Sequence, residues 1–155
     1  NRQFVFNHTS VDHTKYDSLR RSLYLPVIRN NVYTLFSQFD FPDPTMPTGS
    51  RNATVVAPQA LLMMNADLLI DSADQFATIL INRTQDPAAR VALAYERALG
   101  RQPTDRESSR ALSFVTDLTA SALVNSASVD SDAERRAWSM FCQGLFASNE
   151  FIYLR

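Results

Sequence analysis

Apolar positions along this 155-residue chain repeat with helical rather than strand spacing. Val32, Leu35, Phe36 and Phe39 fall at i, i+3, i+4 and i+7, which predicts a short amphipathic helix. Pro58 suits the first turn of a helix carrying Leu61, Leu62 and Met63. Asn65-Ala66-Asp67 predicts a break and a restart, after which Leu69, Ala73, Phe76 and Leu80 line one face. Asp86-Pro87 marks another start, as an N-cap followed by proline at N1. Val91, Tyr95, Ala98 and Leu99 follow at helical spacing, and Gly100 is the expected stop. Thr104 to Glu107 spells a capping box ahead of a helix with Leu112, Val115, Leu118 and Ala122 inward. Ser131 to Glu134 spells a second box, opening a last helix with Trp138, Phe141, Cys142 and Leu145 inward. Asn149, just beyond, is expected to take the left-handed conformation that ends helices. The fold class is therefore mainly α: a compact bundle of five or six helices with an irregular, proline-rich N-terminal third.

That N-terminal third divides in two. Residues 1–19 show no period and are expected to form a loose arm, and residues 20–155 form a single helical domain. Within that domain the block Arg20 to Asn65 stands out. Arg20 to Arg29 contains Pro26 and predicts extended chain or an irregular turn. Asp40 to Ala57 contains Pro42, Pro44, Pro47 and Gly49 and predicts a long ordered loop. Constrained loops of this kind are where sites and interfaces concentrate.

Composition removes several function classes. The net charge of −1 gives no global attraction to nucleic acid. With only 3 glycines, the chain has neither a dinucleotide-binding fingerprint nor a P-loop. Cys142 is the only cysteine, which removes an internal disulfide and the paired-cysteine zinc and haem signatures. No apolar run reaches the length of a membrane span. Of the 15 basic residues only Lys15 is lysine, and arginine favours forked pairing with carboxylates.

The candidate ligand or interface residues are Arg20, Arg21, Tyr24, Arg29, Asp40, Asp43, Arg51, Asn52 and Glu150. Arginine forks bind carboxylate or sulfate, and aspartates accept from sugar hydroxyls. The competing and preferred explanation is that these arginines and aspartates pair with one another and pin the loop. Asn52 and Thr54 suit side-chain caps that order the chain before a helix. Glu150 is a lone carboxylate, suited to pairing with one of those arginines or to general acid–base work beside Asp40 or Asp43. His8 and His13 flank Asp12 off any helix, too irregular for a metal site, and no metal ligands are assigned. Cys142 on an apolar face reads as a buried structural thiol, and the four methionines as packing residues. No catalytic residue is assigned; two histidines, both in the arm, leave little scope for serine-nucleophile chemistry.

The segments RRSLYLPVIR, FDFPDP, RNATVVAPQALLMMN, YERALGRQPTDRE and AWSMFCQGLFASNEFIYLR, in that order, carry a family resemblance. Over about Arg20 to Leu154 the chain resembles the C-terminal domain of planctomycete-type cytochrome-c-associated proteins, a domain of unknown function. The resemblance implies a multidomain, extracytoplasmic (periplasmic) parent, of which this chain is a C-terminal part. It also implies a c-type haem in an upstream domain; with no Cys-x-x-Cys-His here, no cofactor is expected in this segment. The expected function is a non-catalytic interaction or structural module that docks sibling domains or a protein partner. The alternative is part of a glycan-binding or glycan-hydrolysing site.

Overall fold

The computed structural model describes residues 21–25, 27, 32–50, 54, 57–125 and 130–153. Among these the chain is all α. Its helices are α1 (Thr34–Gln38), α2 (Ala57–Asn65), α3 (Asp67–Arg83), α4 (Pro87–Leu99), α5 (Asp105–Asn125), α6 (Asp130–Phe146) and α7 (Asn149–Ile152). A single 3-10 turn, Ser22–Tyr24, precedes them. Five of the seven are the long helices anticipated from periodicity, α1 is the short amphipathic helix expected around Leu35 and Phe36, and α7 alone is an addition. The chain divides into two compact units, Asn1–Leu62 and Met63–Arg155, with the divide inside α2.

In the first unit, α1 covers only the middle of the predicted period. Val32 precedes it and Phe39 is its C-cap, because the helix ends in a left-handed residue after one and a half turns. Asp40 takes φ 54°, a conformation that costs a non-glycine residue about 1–2 kcal/mol. The Phe41 amide donates to Phe36 O at 2.9 Å, and the Phe36 and Phe41 rings stack with centroids 5.2 Å apart. This is a Schellman stop with its apolar contact, built on aspartate where glycine is usual. Gln59, buried in α2, donates from Nε2 to Gln38 O at 2.8 Å, tying α2 to the end of α1.

In the second unit, α6 packs against α3, α4, α5 and α7. Its inward residues are Ala133, Ala137, Trp138, Phe141, Cys142 and Leu145, of which Trp138 is 1% exposed. The expected inward face is thus present, with two alanines added. α3 buries Ala73, Ala77 and Leu80, α4 buries Val91, Ala94 and Tyr95, and α5 buries Ala111 and Val115. Trp138 meets Phe141 edge-on at 5.7 Å.

Local signals explain most helix ends. The Asp86 carboxylate accepts from the Ala88 and Ala89 amides, with Pro87 at N1. Gly100 closes α4 at φ 70°, its amide donating to Glu96 O. At α5 the Glu107 carboxylate accepts from the Thr104 amide at 2.7 Å, and the Glu107 amide donates back to Thr104 Oγ1. Two expected ends are corrected. The last long helix already runs at Asp130, ahead of the Ser131 expected to open it, and the Glu134 carboxylate pairs with Arg90. Asn149 does not end a helix in the left-handed region. It opens α7, capped by Ser148, whose Oγ accepts from the Phe151 amide.

Met63 is buried, as a packing residue should be, but Met46, Met64 and Met140 are all more than half exposed. Their thioethers are surface groups rather than core filler.

Candidate functional site

Of the nine candidate residues, Arg20, Arg29, Arg51 and Asn52 lie outside the described residues, as do His8 and His13. The remaining five fall in two places, the N-terminal block and the end of the helical unit.

In the block, the loop after α1 is organised by its two aspartates. Both Asp40 carboxylate oxygens accept from Thr54 Oγ1, at 2.9 and 2.8 Å, and Oδ2 also accepts from the Thr54 amide at 2.6 Å. Asp40 therefore closes the loop across 14 residues while standing in an unfavourable backbone conformation. Asp43 builds a local turn, accepting from the Thr45 amide at 2.8 Å and from its hydroxyl at 2.6 Å. These Thr45 bonds, hydroxyl first, hold the Asp43 carboxyl below its ordinary range. Both aspartates have a definite structural task. Thr54, expected only as a cap ahead of α2, is the other half of the loop closure.

Arg21 precedes the 3-10 turn and Tyr24 is its last residue, and both are exposed. Leu23, between them, is 85% exposed and Tyr24 69%; Val27 nearby in sequence is exposed, as is Met46 in the loop after α1. The block thus presents large apolar side chains to solvent.

Glu150 belongs to a different constellation, centred on Arg101. The guanidinium donates from Nε and Nη2 to the two Glu150 oxygens, at 2.6 and 2.8 Å. It donates from Nη2 and Nη1 to the two Glu107 oxygens, at 2.7 and 2.9 Å. A fifth bond runs from Nη1 to Gln102 O at 3.0 Å. All five N–H groups of the fork are engaged. The group also lies over the Tyr95 ring, 5.4 Å from its centroid. Arg101 follows Gly100 at the α4–α5 turn, Glu107 sits in the first turn of α5 and Glu150 in α7, so one side chain joins three helices.

The electrostatics follow from that geometry. The Arg101 bond, reinforced by Thr104, holds Glu107 down at about 2. Glu150 and then Glu107 raise the guanidinium further above its ordinary value. Tyr95 is raised, first by burial and then by the negative Glu107. A carboxylate held this low is a poor proton donor or acceptor near neutral pH. Burial alone pushes the Cys142 thiol up to about 12, the reverse of what a nucleophile needs. No group of three or more histidine, cysteine, aspartate and glutamate side chains among the described residues is placed to hold a metal ion.

Two charged groups escaped the candidate set. Arg101 stood beside a recognised glycine stop and capping box, but its partners come from sequence-distant positions. Arg90 is 2% exposed. Its Nε donates to Thr84 O at 2.6 Å, Nη1 pairs with Glu134, and its guanidinium lies 5.5 Å from the Trp138 ring centroid. The sole signal in the chain was an arginine four residues after an N-cap, on the face shared with Val91 and Ala94.

A family model described as PSD1, protein of unknown function (DUF1553), matches residues 2–115. The matched stretch takes in the N-terminal arm and ends within α5. No curated protein and no solved structure matches the chain.

Proposed function

The chain belongs to the PSD1 family of proteins of unknown function (DUF1553), and on that footing we propose that it is a non-catalytic docking module. Its parent is an extracytoplasmic multidomain protein carrying c-type cytochrome domains, as the C-terminal-domain resemblance implies. Its partner is a sibling domain of that polypeptide or a separate protein. The observation that carries the proposal is the exposure of Leu23 and Tyr24 on one short turn, in the same compact unit as the loop held by Asp40 and Asp43. Exposed aromatic and aliphatic anchors on a fixed support are what protein interfaces use as hot spots. The carboxylates add a second line of support, since Asp40, Asp43, Glu107 and Glu150 each hold a backbone amide, a hydroxyl or a guanidinium.

The test titrates the chain against the upstream polypeptide of its parent, expressed separately, by calorimetry. The Leu23→Asp/Tyr24→Asp variant should bind at least about tenfold more weakly, about 1.4 kcal/mol, with unchanged circular dichroism. Equal affinity for the two proteins would reject this turn as the docking site. The glycan alternative keeps Tyr24 and Arg21 as exposed stacking and fork groups, while Trp138, the one tryptophan, is buried and offers no stacking platform. Glycan binding by the parent that disappears in Arg21→Ala would replace the docking proposal.

A further inference from the structure

We propose that the Arg101 cluster is a clasp that makes α7 a detachable strap, able to lift from the helical unit without opening its core. This goes beyond the docking of the N-terminal block and stands or falls separately from it.

The strap cannot support itself. α7 has four residues, and isolated helices shorter than about 12–15 residues are marginal in water. It contributes no buried residue to the core, so lifting it removes none of the core side chains. It packs against only α4 and α6 among the described helices. Its fastenings among the described residues include the Arg101–Glu150 fork, the Phe146–Phe151 ring contact at 4.9 Å and the Ser148 cap. The first two join it to the rest of the unit, and the third sets its start.

The seat is held independently of the strap. Glu107 keeps its two bonds to Arg101, Gln102 O keeps its one, and the Tyr95 ring stays beneath the guanidinium. Losing Glu150 therefore frees two N–H directions on an arginine that is still fixed in place. Phe146 also stays put, because its ring stacks on Phe76 as well, with centroids 5.7 Å apart. A closed strap over a preformed seat is a two-state element, and local openings of this kind lie far below global unfolding in free energy. Opening uncovers one face of Phe146 and the two vacated guanidinium positions together.

Amide hydrogen exchange of the full chain at low urea tests the device. The reporting amides are Phe151, Ile152 and Tyr153, which donate to Ser148 and Asn149 carbonyls. Their exchange should be faster than that of α6 amides and insensitive to urea. Glu150→Gln keeps the shape of the side chain and weakens the fork. It should speed these three amides at least tenfold and leave α6 unchanged. Raising the salt from 0.05 to 0.5 M should speed them in the wild type and have little effect in Glu150→Gln. Arg101→Lys retains the charge without the fork and should behave like Glu150→Gln. The proposal is overturned if the α7 amides exchange only together with α6. It is also overturned if Glu150→Gln leaves them at the wild-type rate.

Discussion

Replacing Arg90 with methionine measures what a buried cation contributes to the helical unit. The side chain is 3% exposed, and methionine preserves most of its apolar stem. Three interactions disappear. The bond from Nε to Thr84 O, 2.6 Å long, is charge-assisted, and such bonds contribute about 1.5–3 kcal/mol. The stacking over Trp138 contributes about 0.5–2 kcal/mol, because the ring is desolvated. The pair with Glu134 adds little, about 1 kcal/mol or less, since the Glu134 side chain is 43% exposed and hydrates once released. A methionine sulfur near Trp138 returns part of the loss, about 0.3–1.5 kcal/mol. The net expectation is destabilisation by about 2–4 kcal/mol, against a typical total on the order of 5–15 kcal/mol. Urea unfolding followed by circular dichroism reads it as a lower midpoint at unchanged slope. Glu134→Gln is the companion variant and should cost about 1 kcal/mol or less. Equal midpoints for the two variants would refute the argument, because the stabilisation would then reside in the ion pair and not in the buried contacts of the arginine.

Gly100→Ala isolates backbone conformation: nothing lies within 4 Å of the added Cβ, so the cost should be the left-handed penalty of about 1–2 kcal/mol alone. A larger loss in a thermal melt would mean that the α4–α5 turn tolerates no adjustment. Glu107 is held at about 2, below its ordinary 4.5, so its contribution is full above about pH 4.5 and disappears as pH falls through about 2. The stability gap between wild type and Glu107→Gln should therefore close over that window, and a gap constant with pH would contradict the assigned pairing. Cys142, fully buried and pushed up to about 12, should resist a thiol-specific disulfide reagent at pH 8 until the protein unfolds. Rapid labelling of the native protein would show that α6 opens locally.

The helices of the second unit were legible because their signals are local. Asp86, Pro87, Gly100, Thr104 and Glu107 act on amides and carbonyls within a few residues, and the period of Trp138, Phe141, Cys142 and Leu145 reports one face. Ser131-x-x-Glu134 has the same spelling as the capping box of α5, yet α6 already runs at Asp130. A carboxylate at that position can serve a local amide or a distant cation, and Glu134 pairs with Arg90. For Glu150 the sequence left open pairing with an arginine of the N-terminal block or acid–base work, whereas it bonds Arg101, 49 residues away, and no spacing rule connects them. Asp40 shows the same limit from the other side. It takes a left-handed backbone while its carboxylate accepts from Thr54, and a pattern that assigns this conformation to glycine passes over it.

The alanines buried on α3 and α6 limit what substitutions the unit can absorb. Ala73, Ala77, Ala133 and Ala137 present a single methyl group each at positions no more than 2% exposed. Where small residues line the contact, the backbones themselves approach closely and set the helix spacing. Truncation is then mild, because there is almost nothing to remove. Enlargement is severe, because valine or leucine must prise two helices apart at about 1–3 kcal/mol per site. The unit's tolerance is thus one-sided: serine or glycine fits this seam more readily than any larger hydrophobe, although the larger hydrophobe scores better on every scale of core-forming tendency.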